Sequence, residues 1–281
     1  MSFGNGLLLR VATRWISGTD LDSAIADAKR ANSRGFGAVL NYLGEDVTDS
    51  KVADRHTEQY LKLQGAIASS GVEGFVSVKL TQFGLASDEA GARNRLESIA
   101  ESAERLHQLL WVDMEGSAST QKTIEIYSDL LSRHKGVGLA LQAYMRRSRD
   151  DLKLLLGSGA RIRLVKGAYR EPSDVVYPSR REVSQNFSSL MRMLFDGGDN
   201  FAIGTHDSKL IEEAEKLADS KHVEFRFEML KGIRNELKEE LVGSGYRLSE
   251  YLPYGEEWYA YSRRRLSEHP SNVLLLVRSL I

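Results

Sequence analysis

The chain has 281 residues, 42% hydrophobic and 27% charged, with 38 basic side chains against 39 acidic ones and a formal net charge of −1, which gives no electrostatic reason to gather on phosphate backbones and excludes nucleic acid as an expected partner. Cysteine is absent, so disulfides, thiolate metal sites and a cysteine nucleophile fall away together. No apolar run approaches the roughly 20 residues of a spanning helix, and Leu7-Leu8-Leu9 is cut by Arg10 with no basic segment ahead of it, so the expectation is a cytoplasmic chain without a signal peptide.

This length fits one large core, and no low-complexity linker or internal repeat offers a place to cut it, so residues 1–281 are expected to form a single domain with 1–19 as an N-terminal arm. After that arm, short apolar runs rich in β-branched residues alternate with longer stretches of helical periodicity. Helical composition at 21–33 leads into a strand at 36–41, and a second strand follows at 74–80. Helix 88–107, strand 109–113, helix 120–134, strand 137–142 and helix 147–156 come next. Strands at 162–166 and 201–205, a helix at 208–218, and strands at 223–228 and 247–251 complete eight units, which predict an α/β chain built as a (β/α)8 barrel. The glycine pairs Gly35/Gly37, Gly136/Gly138, Gly157/Gly159 and Gly243/Gly245 each stand after a helix and before a strand, where they stop helices. A dinucleotide fingerprint needs the opposite order and a third glycine, and here that place holds Leu40, Leu141, Ile162 or Leu248.

Polar groups stand at every strand exit: Asn41 with Glu45 beyond it, Lys79, Asp113, Gln142, Lys166, Thr205-His206, Glu228 and Tyr251. In a barrel these exits share one rim, the face where such folds assemble active sites from several strands. Exits also turn polar simply because they meet water. Lys79, beside an apolar run, could hold a carboxylate, act as a Schiff-base nucleophile, or form a structural ion pair. Asp113 and Glu115 stand on either side of Met114 at a strand exit, and the expectation is that they point to opposite sides, one facing the rim while the other caps or pairs. A paired-carboxylate glycosidase has nothing else to support it. Arg163 and Lys166 in one predicted strand need a negative partner, either a phosphate-bearing or flavin cofactor or the carboxylates of Asp113 or Glu228. His206 ends a strand and begins a helix, a place suited to a phosphate or a ring edge. The other histidines show no ligand spacing, so no metal is expected. On the last helix Tyr261/Arg265 and Arg264/Glu268 are four apart, and the arginines either converge on a small carboxylate or form a solvated face.

Several ordered segments together resemble the flavin-dependent proline dehydrogenase family, from about Asp20 to the C-terminus. They are Asn41-Tyr42-Leu43-Gly44-Glu45, Val78-Lys79-Leu80-Thr81, Asp113-Met114-Glu115, Leu141-Gln142-Ala143-Tyr144, Arg163 through Tyr169, Thr205-His206-Asp207, Phe227 through Gly232, and Tyr251-Leu252-Pro253-Tyr254-Gly255 leading to the terminal arginines. The resemblance implies a distorted (β/α)8 barrel holding FAD, with L-proline oxidised to Δ1-pyrroline-5-carboxylate by hydride transfer from C5 to flavin N5, and electrons passed to a quinone. It implies a carboxylate clamp of Arg264, Arg265 and Lys79, with Glu268 and Glu45 positioning the arginines and Tyr251 and Leu230 packing on the ring. Asp113 would be the rim carboxylate beside the substrate and Arg163 the cation near flavin N5, while Met114, Gln142, Lys166, Gly167, Ala168, Thr205 and His206 would touch the cofactor. Use of a quinone further implies peripheral contact at the inner face of the cell membrane, although no segment reads as an amphipathic anchor, and a pyrroline-5-carboxylate dehydrogenase as a channelling partner. Gly116-Ser117, Arg263 and Ser249 depart from the family pattern. The competing readings are a Lys79 Schiff-base aldolase or related lyase and a non-catalytic ligand-binding barrel.

Overall fold

Eight strands pair in parallel in chain order, and the last closes on the first, in a computed structural model that describes residues 9 and 12–268, apart from the side chains of 264–268. The strands are β1 (Gly37–Tyr42), β2 (Gly74–Val78), β3 (Leu110–Val112), β4 (Val137–Gln142), β5 (Arg161–Val165), β6 (Phe201–Gly204), β7 (Phe225–Leu230) and β8 (Leu248–Tyr254). Helix α1 (Leu21–Ser33) precedes β1, and α2 (Ser50–Ser70), α3 (Glu89–Arg105), α4 (Ser117–Arg133), α5 (Ser148–Gly157), α6 (Arg180–Gly197), α7 (Ser208–Lys221) and α8 (Asn235–Gly243) connect successive strands. A final helix, α9 (Trp258–Glu268), follows β8. The expected (β/α)8 barrel is therefore the observed architecture. Among the described residues no helix is long and apolar enough to cross a membrane.

Local chemistry accounts for where the helices begin. Asp20, Asp49, Asp88, Ser179 and Asp207 each accept a hydrogen bond from a backbone N–H of the first turn of α1, α2, α3, α6 and α7, satisfying donors that have no partner within the helix. Sequence and structure agree on α1 and β4, and they differ where an element is decided by its neighbours. β8 runs on to Tyr254, because all six residues of β1 pair with it, and β7 runs on to Leu230 through its own pairing with β8. β2 stops at Val78 because Leu80–Phe83 turns into a short 3-10 helix.

Side chains alternate between the two faces of the closed sheet. Leu164, Phe227, Met229, Leu248 and Leu252 join the large core between barrel and helices. The opposite set lines the interior, where Val39, Phe75, Trp111 and Ala202 cluster with Tyr251. Trp111 pairs in register with Gly138 on β4, and a Cβ at Gly138 would lie 2.2 Å from its ring. Only glycine leaves the indole this place.

The C-terminal ends of the strands are partly covered. Ser17 N–H donates to Pro253 O at 2.7 Å and Lys231 Nζ to Ile16 O at 2.6 Å, which lays the segment before α1 across the exits of β7 and β8. Helix α9 packs on the same segment: Tyr261 clusters with Ala12, Ile16 and Leu43, and Trp15 Nε1 donates to Ser262 Oγ at 2.9 Å.

The turn after β2 is fastened to the exit of β3. Glu115 accepts from Thr81 N–H at 3.0 Å and Thr81 Oγ1 at 2.6 Å, so it caps the turn while Asp113 faces the interior; residues two apart in a strand would share a face, and these two diverge because β3 ends at Val112. Burial pushes the Glu115 carboxyl from 4.5 up to about 7, partly offset by Lys79 and the Thr81 bonds. Between those two values the folded chain holds a proton that the unfolded chain has released, so stability falls as pH rises from about 4.5 to about 7 and is level beyond, by about 3 kcal/mol in all. Glu115→Gln should lack that slope: urea unfolding at pH 5 and pH 8 should show the wild type losing about 2.5 kcal/mol relative to the variant, and a constant gap would place the titration elsewhere.

Candidate active site

The interior of the barrel holds a cation where such folds usually pack branched aliphatic side chains. Arg163, on β5, is 3% exposed. Its Nη1 donates to Asp113 Oδ1 at 2.7 Å and to Ser77 Oγ at 3.0 Å. Its Nε stands 2.7 Å from Glu228 Oε2 but off the hydrogen-bond direction, so that pair is held by charge. The guanidinium lies over Trp111 at 4.6 Å and over Tyr251 at 5.6 Å, both within cation–π range. Nη2 has no hydrogen-bond partner among the described residues.

Asp113 stands nearer the opening. It takes the Arg163 bond on Oδ1 and a 2.8 Å bond from Tyr251 Oη on Oδ2. Two fixed donors thus set the plane of one carboxylate. Burial and the Asp113 charge push the Tyr251 hydroxyl well above its ordinary range, with Arg163 opposing, so it acts as a donor. Burial likewise raises the Glu228 carboxyl, against the pull of Arg163 and Arg226.

On the β1–β2 side, Lys79 is 7% exposed and its Nζ meets Glu45 Oε1 at 2.5 Å. Both the carboxylate-holding and the ion-pair readings of Lys79 are compatible with that contact. Glu257, just before α9, has its carboxyl raised by burial and by Glu45 and lowered by Lys79, so the start of α9 lies close to this pair. Tyr261 acts on Tyr251 in the same way, which brings α9 past the exit of β8 as well. Arg264, Arg265 and Glu268 fall in α9, but their side chains lie outside the described residues.

The exits of β4 to β7 supply a second set of groups. Gln142 Nε2 donates to Met114 O at 2.8 Å, while its Oε1 has no partner among the described residues. Lys166 Nζ is half-buried between Asp207 Oδ2 at 2.7 Å and Ser184 Oγ at 3.1 Å. Gly167 has φ +103°, and a Cβ there would lie 2.3 Å from the Tyr144 ring, so the backbone comes closer than any side chain allows. Ala168 beside it is exposed. Thr205 is buried with its hydroxyl accepting from Asp207 N–H at 3.2 Å. His206 Nε2 accepts from the Leu230 N–H at 2.9 Å, so a neutral ring carries its proton on Nδ1.

Asp113, Arg163, Tyr251 and Glu228 thus form one connected network, with the Lys79–Glu45 pair and the Gln142 to His206 exits placed on the same end of the barrel. Sequence reading missed Trp111 and Ser77 as the platform and third partner of Arg163. The signal was present for Trp111, since period-two alternation from an inward Asp113 also turns Trp111 inward. Ser77 carried none, being a small hydroxyl in an apolar run.

Comparison with known proteins bears on this geometry. A family model described as proline dehydrogenase matches residues 24–276. Proline dehydrogenase 2 of Bacillus subtilis strain 168 is 34% identical over 98% of this chain and 95% of its own length, and the proline dehydrogenase of Deinococcus radiodurans is 32% identical over 96% and 90%. A crystal structure of proline utilization A from Bdellovibrio bacteriovorus, inactivated by N-propargylglycine, superimposes with a TM-score of 0.86 at 24% identity, over 92% of this chain and 32% of that one, and so shares the fold. This chain spans about a third of that larger protein. With its match to the family model and to full-length relatives, the chain belongs to the proline dehydrogenase family, oxidoreductases acting on proline.

Proposed function

We propose that this chain oxidises L-proline to Δ1-pyrroline-5-carboxylate with FAD as its cofactor and a quinone as the final acceptor, and that residues 1–281 act as one domain with 1–19 as its arm. The observation that carries the reading is the buried Arg163, held in place by Asp113 and Glu228 with one guanidinium nitrogen left without a hydrogen-bond partner among the described residues. A buried donor of this kind costs free energy unless something polar meets it. The flavin ring offers acceptors and donors to match Arg163 Nη2 and Gln142 Oε1. The phosphates of FAD suit the cation at Lys166 and the close backbone approach at Gly167. The fit is therefore good, with Met114, Gln142, Arg163, Lys166, Gly167, Ala168, Thr205 and His206 as the residues that would hold the cofactor. When bound, FAD supplies the two-electron acceptor, taking hydride at N5 and releasing electrons to the quinone.

The chain's own residues bind and orient. Arg264, Arg265 and Lys79 grip the proline carboxylate through charge-assisted bonds, with Glu45 and Glu268 restraining the cations. Leu230 and Tyr251 bracket the pyrrolidine ring. Loss of hydride from C5 leaves positive charge on the C5–N unit, and Asp113, its plane set by Arg163 and Tyr251, is a preorganised carboxylate for that charge. Arg163 opposes the negative charge that the electrons bring. The buried Lys79 is ion-paired to Glu45, which favours the clamp over the aldolase reading. Membrane contact to reach the quinone and a pyrroline-5-carboxylate dehydrogenase that consumes the product belong to the same proposal; likeness to a PutA protein named as bifunctional supports the latter.

The purified protein should be yellow, and anaerobic L-proline should bleach its flavin absorbance; a colourless protein that takes up no FAD would end this reading. Arg265→Met should weaken proline binding by about 2 to 5 kcal/mol, since it strands a carboxylate. Steady-state kinetics with an unchanged proline KM would remove Arg265 from the clamp.

A further inference from the structure

Behind the rim, between the barrel and α8, lies an ammonium group that the reaction does not use directly. Lys238 is 0% exposed. Its Nζ donates to Leu230 O at 2.8 Å, to Asn235 Oδ1 at 3.3 Å and to the Glu250 carboxylate. Three acceptors thus match its three N–H groups, the condition under which a buried ammonium is tolerated. Burial lowers its pKa, and Glu250 opposes that.

The identity of those acceptors is what matters. Leu230 is the last residue of β7, and Glu250 immediately precedes Tyr251 on β8. Glu250 shares the outward face with Leu248 and Leu252, so Tyr251 faces inward. Leu230 and Tyr251 are register partners, and Lys231 N–H donates to Tyr251 O at 3.1 Å. The backbone of Leu230 is therefore held on both sides: its N–H by His206 from the exit of β6, and its carbonyl by Lys238 from the helix layer.

We propose that Lys238 is a positioning residue which, by holding the Leu230 carbonyl and Glu250 from outside the barrel, sets the separation of the Leu230–Tyr251 wall and so the fit of a five-membered ring amino acid. The inference rests on the reading that Leu230 and Tyr251 bracket the proline ring. It differs from mere charge balance, in which Lys238 serves only to neutralise Glu250 and its loss affects folding alone.

Three variants of the FAD-loaded enzyme separate these roles: Lys238→Met, Glu250→Gln and the double variant. Glu250→Gln leaves an amine, charged or neutral, to donate to Leu230 O, so proline KM should stay within about twofold of wild type. The double variant removes both charges, so its Tm should lie above that of Lys238→Met, yet its proline KM should rise about tenfold with kcat changed by less than about threefold. Cyclopentanecarboxylate, a ring of the same size with no amine to oxidise, should bind about tenfold more weakly in a titration of the flavin spectrum. The preference for proline over the six-membered pipecolate should narrow in parallel. A double variant with wild-type KM, analogue affinity and ring preference would overturn the positioning role. Wild-type enzyme that proline does not bleach would instead overturn the functional reading beneath it.

Discussion

A guanidinium inside a closed barrel has no water to fall back on, and the arrangement around Arg163 follows from that. Transfer of an unpaired charge into such an interior costs several kcal/mol, and the cost is met only by opposite charge at good geometry. Asp113 and Glu228 supply it from β3 and β7, on either side of β5, and Trp111 supplies a π face. One cation between two carboxylates leaves the cluster net negative. Burial raises the Glu228 carboxyl above its ordinary range, and the charges of Arg163 and Arg226 oppose that. Because the centre of the barrel holds this cluster, its interior combines apolar side chains such as Val39 and Ala202 with charged ones, and its upper end presents polar groups.

The cluster also organises what surrounds it. Tyr251 is fixed through Asp113, Leu230 through its pairing with Tyr251, and His206 through the Leu230 N–H. A wall assembled from β3, β6, β7 and β8 therefore depends on contacts at separations of 21 to 138 residues in the chain. The opposite side, Lys79 with Glu45, is joined to β3 through the Glu115-capped turn, with Glu257 just before α9 close to the pair. Rim geometry in this family member is thus a property of strand pairing as much as of any one side chain.

Much of the architecture could be read along the chain. Asp20 before an amphipathic run marks the start of α1, and the apolar run Val137–Gln142 marks β4, since capping and alternation act over a few residues. Boundaries set by neighbours could not be read in the same way: β8 was expected to end at Tyr251 but continues to Tyr254, because β1 is there to pair with it. Among the site residues, Asp113, Lys79, Gln142, Thr205 and His206 declared themselves as polar groups at strand exits. Trp111 declared itself only once β3 was known to place Asp113 inward.

Order of elements, number of strands and the ring of polar exits all follow from patterns confined to short stretches, where backbone propensity and side-chain alternation act locally. Which partner each charge takes is another matter. Arg163 could have met a ligand or the carboxylates of Asp113 and Glu228, and the fold joins it to both carboxylates while leaving one nitrogen without a hydrogen-bond partner among the described residues. Lys238, an ordinary helix lysine in the sequence, becomes a fully buried anchor only because α8 packs against the ends of β7 and β8. Electrostatic pairing is decided by distance through space, and distance through space is known only when the barrel has closed.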